Sequence, residues 1–225
     1  MSSAPLALLI VAKDLRVEVR SRRAIVTTLF FSFLILVVFQ FAFDPGDPAS
    51  RAAAPGILWV ALLFPGVLQL NRSFEIETAN DTMSGLLLSP LSAEMLFLGK
   101  WLANWIYLVA VDLFILLAFL ILFNITLDGA VGWLMLLVLL AAVPFTAIGT
   151  LFAAMVSGLG SREGMLPILL FPLLIPSLIA SVGATREVLS TGVEFLSSWL
   201  QLLVVTGVVF GAAAFLLFGY VVGDD

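Results

Sequence analysis

Long stretches without charge dominate this chain. Residues 24–43 and 52–71 are 20 uncharged residues each, and residues 101–127 carry one charge, Asp112, in 27. Residues 129–161, 164–185 and 195–223 carry none in 33, 22 and 29. About 20 apolar residues are enough for a helix to cross the hydrocarbon core of a bilayer. The pattern therefore predicts an all-α integral membrane protein with six transmembrane helices, at about 24–43, 52–71, 101–123, 133–156, 164–183 and 199–222. Composition closes off the alternative of a soluble domain. Such domains are roughly one quarter charged, whereas this chain is 11% charged and 62% apolar, with a mean hydropathy of +1.20. No internal repeat and no low-complexity linker divides residues 1–225, which read as one membrane domain.

Orientation follows from where Lys and Arg fall between the spans. With the first segment placed in the cytoplasm, that side holds Lys13, Arg16, Arg20, Arg22, Arg23, Arg72, Lys100 and Arg162, and the other side only Arg51 and Arg186. Eight against two puts both termini in the cytoplasm.

The amino terminus does not read as a signal peptide, because its basic cluster follows the short apolar run instead of preceding it. Residues 3–22 are expected to form a helix lying along the cytoplasmic interface. Its amphipathicity is imperfect, since Leu15 and Val19 fall away from Leu6 and Ile10. A loose basic tail that only sets topology is the alternative.

Residues 71–100 form the longest polar interval and read as a structured cytoplasmic connector, being far longer than a usual helix-to-helix link. Glu75, Glu77 and Asp81 suit the first turns of a helix. Phe74, Thr78 and Asp81 or Thr82 would share one side of it, a surface that a soluble partner could grip; an ordinary solvated loop is the plainer reading. Pro90 ends that element, and Ser92 fits an N-cap with Glu94 in the next helix's first turn.

Asp112 is a candidate intramembrane polar site. It faces either a proton or substrate path, or a neighbouring helix to which a protonated carboxyl hydrogen-bonds. Pro167, Pro172 and Pro176 in the fifth span each remove a backbone donor, so that helix is expected to be bent, broken or re-entrant, as a hinge or cavity lining or equally as static kinking that packing tolerates. Gly207 and Gly211 form a Gly-x-x-x-Gly pair suited to close helix packing.

Much chemistry is excluded by what is missing. The chain contains no Cys and no His, which removes thiolate and imidazole metal ligands and the Ser-His and Cys-His pairs of hydrolases. No Gly-x-x-x-x-Gly-Lys-Ser/Thr loop is present to cradle ATP. A transport or assembly role driven from elsewhere survives.

Several local runs resemble the haem exporter protein B (CcmB) family, over essentially the full length. They are Ala54-Pro55-Gly56-Ile57-Leu58-Trp59-Val60 within residues 51–63, then Arg72-Ser73-Phe74-Glu75, then Gly85-Leu86-Leu87-Leu88-Ser89-Pro90-Leu91, with Lys100, Asn104-Trp105 and the prolines of span five. The resemblance implies the membrane (permease) subunit of an ABC transporter complex in bacterial cytochrome c maturation, with a type-2 exporter fold in the inner membrane. Residues 3–22 would be its elbow helix, and residues 71–100 would hold the coupling helix that meets a separate cytoplasmic ATPase. Arg72, Phe74, Glu75, Glu77, Asp81, Gly85 and Pro90 would carry that coupling.

Further partners implied are a haem-handling membrane protein, a small single-span protein and a second copy of the chain; no nucleic acid is implied. Lacking His and Cys, the chain could offer haem iron only Met or Tyr. ATP and haem are accordingly expected on partner subunits, with no cofactor bound directly and no enzymatic activity in this chain. The alternatives are a type-2 permease for another substrate, a secondary carrier, or an assembly scaffold.

Overall fold

The computed structural model describes residues 4–43, 48–79, 92–125, 130–157, 165–190 and 196–222, with the side chains of 4–6, 23–24 and 75–79 left aside. Every regular element among them is helical. The helices are α1 (Ala4–Arg20), α2 (Arg22–Ala42), α3 (Pro48–Ala79), α4 (Ala93–Leu122), α5 (Ala130–Ser157), α6 (Met165–Ser190) and α7 (Leu196–Val222). All but α1 are long and apolar enough to cross a membrane, so the six-span, all-α architecture is borne out.

The helices on either side of the long polar interval reach well into it, because backbone hydrogen bonding continues past the point where apolar side chains stop. α3 runs eight residues beyond 71, to Ala79, and α4 starts at Ala93 instead of 101. Much of the expected connector is thus an extension of two helices. Ser92 caps α4, with its hydroxyl accepting from the Met95 N–H at 3.4 Å. At the other end of α4, Asn124 takes a positive φ of 50°. The Ile125 and Asn124 N–H groups then donate back to the Leu120 and Ile121 carbonyls at 3.0 and 3.3 Å, an ending usually built on glycine.

The prolines do not break their helices. α6 is continuous through Pro172 and Pro176, and Pro167 sits in its first turn, where a missing N–H costs nothing. That corrects the expectation of a broken or re-entrant fifth span. Hydrocarbon offers no competing hydrogen-bond partner, so the helix persists around the lost donors. The buried hydroxyls of Ser32, Thr146, Ser181 and Thr206 each donate to the carbonyl four residues back, at 3.1, 2.6, 2.7 and 2.9 Å, and so need no partner from another helix.

α5 lies at the centre of the bundle, packed against α3, α4, α6 and α7, while α2 rests on α3 and α4 at the periphery. Glycines set the tightest approaches. A Cβ on Gly66 would come within 2.5 Å of the buried Phe145 ring, and one on Gly183 within 2.7 Å of the Trp199 indole. Gly207 of α7 faces Val143 of α5, where a Cβ would stand 3.2 Å away, and Gly211 faces Trp101 of α4. Both contacts are within one chain.

Gly66→Ala is expected to lower stability by about 1–3 kcal/mol, the usual cost of overpacking a filled core. Gly56→Ala in the same helix, with nothing within 4 Å of the new Cβ, is expected to be neutral or stabilising. Melting temperatures of the purified proteins in detergent check the pair.

Candidate functional site

Several buried polar residues meet where α1 crosses the start of α4, with the end of α3 alongside. α1 is built inside out. Its inward stripe is Ile10, Asp14 and Glu18, four residues apart, with Val11 three before Asp14, all buried. Leu8, Leu9 and Val19 stay exposed, as do Arg16 and Arg20. The imperfect amphipathicity has its reason here: two positions of the inward face are acids.

Those acids meet a buried cation. Lys100 is 1% exposed, and its Nζ lies 3.1 Å from Asp14 Oδ2. The ammonium sits off the carboxylate's hydrogen-bonding direction, so the contact is held by charge more than by an aligned hydrogen bond. Lys13, on the outer side, approaches Asp14 Oδ1 at 3.1 Å. Below Lys100 lies the Phe74 ring, its centroid 5.3 Å from Nζ, within reach of a cation–π attraction. The close crossing needs Gly99, where a Cβ would stand 3.0 Å from Ile10 Cβ and 3.1 Å from the Ala7 carbonyl oxygen.

Deeper in, Gln69 Nε2 donates to Asn104 Oδ1 at 2.9 Å, and Asn104 Nδ2 donates to Thr150 Oγ1 at 3.0 Å. This amide ladder ties α3, α4 and α5 together. The indoles of α4 continue it along the same helix. Trp101 Nε1 donates to Thr146 Oγ1 at 3.1 Å and Trp105 Nε1 to the Leu139 carbonyl at 3.2 Å. In α3, Trp59 Nε1 donates to Thr185 Oγ1 of α6 at 2.9 Å.

Glu18 and Arg72 face the same pocket from α1 and α3, with Gln69 and Tyr107 between them. Burial is the largest influence on the Glu18 carboxyl and raises its pKa above the ordinary 4.5. Arg72 opposes that rise, Asp14 adds to it and Lys100 opposes it.

The expected coupling residues do not all fall where the sequence pattern put them. Phe74 is 1% exposed; its ring packs inside the chain and offers no surface to a soluble partner. The reason is that α3 runs on through residues 72–79, turning Phe74 onto the side that faces α4. Arg72 is half-buried at the pocket. Glu75 and Glu77 lie on the α3 extension, their side chains outside the described set, and Asp81, Gly85 and Pro90 lie outside the described residues.

Asp112 is buried among Trp59, Leu62 and Leu63 of α3 and Ala141, Ala142 and Phe145 of α5, beside a cavity of about 20 Å³. Its Oδ1 has no hydrogen-bond partner.

Asp14, Lys100, Gln69 and Asn104 are the junction residues that sequence reasoning did not single out as a site. One signal was available. Asp14 and Glu18 are four apart on the same helical face as Ile10, which is unusual for acids on a surface helix.

Among the described residues no group of three or more His, Cys, Asp or Glu side chains could share a metal ion. The fold and the junction define a polytopic helical membrane protein with a charged clasp at one end of its bundle. A family model described as CcmB protein matches residues 6–222, and the chain belongs to that family. Similar proteins named heme exporter protein B come from several bacteria. The one from Haemophilus influenzae is 30% identical over 171 residues, covering 76% of each chain. The one from Rhodobacter capsulatus is 28% identical over 214 residues, covering 93% of this chain and 94% of its own. The one from Pseudomonas aeruginosa is 29% identical over 178 residues, covering 79% of each.

Removing one member of a buried ion pair typically costs about 3–5 kcal/mol, because the other charge is left unpaired, while replacing both with apolar residues is often tolerated. Lys100→Met and Asp14→Leu are each expected to melt well below the wild type, and the double variant is expected to recover most of the loss. Differential scanning fluorimetry of the four proteins checks this cycle.

Glu18 gives a second test. With its folded pKa raised, it contributes most below 4.5 and loses that contribution as pH rises through the raised value. Asp14, Arg72, Lys100 and Tyr107 surround it and stay in place in Glu18→Gln. That variant is expected to lose less melting temperature than the wild type between pH 4.5 and 8, as read from melting curves across that range.

Proposed function

We propose that this chain is the membrane subunit of an ABC-type complex required for cytochrome c maturation. It couples ATP hydrolysis on a separate cytoplasmic ATPase to haem export or to release of a haem-loaded periplasmic chaperone. The observation that carries the reading is the family match over residues 6–222 on a chain with six helices able to span a membrane. Relatives named heme exporter protein B align along 93% of the chain in the longest of the matches above.

In this reading the protein sits in the bacterial inner membrane, with both termini and residues 71–100 in the cytoplasm. The distribution of Lys and Arg supports that orientation. α1 acts as the elbow helix at the interface. Its outward face of Leu8, Leu9, Val19, Arg16 and Arg20 combines apolar and basic side chains, as a helix in the headgroup region requires. Glu75, Glu77, Asp81, Gly85 and Pro90 form the surface that meets the ATPase, and Arg72 and Phe74 support it from within.

The clasp between Lys100, Asp14 and Phe74 then has a mechanical role. A push on the segment between α3 and α4 reaches α1 through a charged contact that is expensive to break. ATP is bound by the ATPase. Haem is handled by partner subunits, since this chain has no His or Cys to hold its iron. Six spans make half of an exporter, so a second copy of the chain completes the transmembrane part. A haem-handling membrane protein and a small single-span protein belong to the same complex.

Affinity purification of the tagged full chain from its native membrane, followed by mass spectrometry and an ATPase assay, tests the proposal. It is expected to recover an ABC ATPase chain with ATP hydrolysis. Replacing Glu75, Glu77 and Asp81 together by Ala is expected to lose that chain and to abolish mature c-type cytochromes. Recovery of the wild-type protein without any nucleotide-hydrolysing chain would point to a carrier or a scaffold instead.

A further inference from the structure

Beside the clasp lies a cavity of about 370 Å³, bounded by α1, α2, α3 and Tyr107 of α4. That size suits the polar head of a small amphiphile, at the low end for ligand pockets. Its lining is unusual for the surface of a transmembrane bundle. One carboxylate, Glu18, and one guanidinium, Arg72, face into it, accompanied by Gln69, Tyr107 and the hydroxyl of Thr28. Glu18, Gln69, Tyr107 and Thr28 are all buried.

Two features point to a ligand. First, among the described residues no ion pair of 4 Å or less joins Glu18 to Arg72, although the Arg72 charge acts on the Glu18 carboxyl. Two opposite charges that share a partly dry space without touching leave room for a molecule carrying both complementary charges. Second, the rim is apolar on the outside. Leu68 lines the pocket and is 49% exposed, and Val26 and Phe30 on α2 are exposed on either side of the rim residue Thr27. The mouth therefore opens on the surface that acyl chains cover, at the level of α1.

We propose that this pocket seats the headgroup of an aminophospholipid, phosphatidylethanolamine, from the leaflet in contact with α1. Its phosphate pairs with Arg72, in the charge-assisted geometry that guanidinium favours. Its primary ammonium donates to the Glu18 carboxylate. A choline headgroup has no N–H to give to Glu18, and a glycerol headgroup carries no charge to balance it, so both fit worse. The lipid completes the wall between α1, α2 and α3, and ties the packing of α1 to the composition of the leaflet. The proposal does not depend on what the complex transports.

Native mass spectrometry of the purified full-length chain tests it, with dioleoyl phosphatidylethanolamine, phosphatidylcholine and phosphatidylglycerol supplied at equal concentration. The wild type is expected to retain the ethanolamine lipid about tenfold better than either competitor, the effect of one well-formed charged contact. That lipid is also expected to raise the melting temperature most, a readout that needs no variant. Glu18→Gln is expected to remove the preference over phosphatidylglycerol, and Arg72→Gln to weaken retention of all three. Equal retention of the three lipids by the wild type would overturn the proposal, as would unchanged selectivity in a folded Glu18→Gln protein. Displacement of the lipid by soluble phosphoethanolamine at equal concentration would assign the chemistry to a free phosphate ester and overturn the lipid assignment.

Discussion

A lysine ammonium shut away from water has to be answered by a charge, and in this protein the answer to Lys100 comes from the first helix. Asp14 lies 86 residues away in the chain and 3.1 Å away in space. The pair decides where α1 lies, and Gly99 and Ile10 let it lie close. Because Phe74 packs under the same ammonium, the end of α3 is gathered into the clasp as well. Three pieces of chain are thus joined at one point: the amino-terminal helix, the exit of the second span and the entry of the third. The amide ladder of Gln69, Asn104 and Thr150 carries the connection on to α5, the helix at the centre of the bundle.

That arrangement suits the role proposed for this chain, a membrane subunit driven by a separate ATPase. A soft apolar contact between α1 and the bundle would slide, because in lipid the hydrophobic effect does little to hold one helix against another. A buried ion pair resists separation, since parting it would leave two charges in a poor solvent. The charged contact at one end of the bundle and the hydrogen-bonded contacts further in make the junction stiff. The remaining interfaces rely on small residues and close packing, as at Gly66 against Phe145 and Gly183 against Trp199.

Some of this was legible in the sequence and some was not, for physical reasons. The six spans could be read directly, because charges are expensive in hydrocarbon and their absence over 20 residues is conspicuous. The cap at Ser92 was legible, because capping is local chemistry. Pairings between distant elements were not. Lys100 reads as one more positive charge at a membrane boundary, and nothing near it in sequence announces Asp14. Phe74 reads as an apolar residue in a polar connector, hence a grip for a partner, until α3 is seen to continue past Arg72 and turn it inward. The prolines of α6 left a bend, a break and a re-entrant turn all open, because the sequence shows the lost donors and not whether the neighbouring turns keep the helix continuous.

The central claim is that α1, the end of α3 and the start of α4 move as one body. The chain has no cysteine of its own, so spin labels can be placed on single introduced cysteines without background. Arg16 on the outer face of α1 and Glu94 in the first turn of α4 are both exposed. The direct measurement is the distance between labels at these two positions in the purified complex, with and without ATP. The account predicts a narrow distribution that nucleotide leaves unchanged. A distribution that shifts or splits when ATP is added would show that α1 separates from α4, and would contradict it.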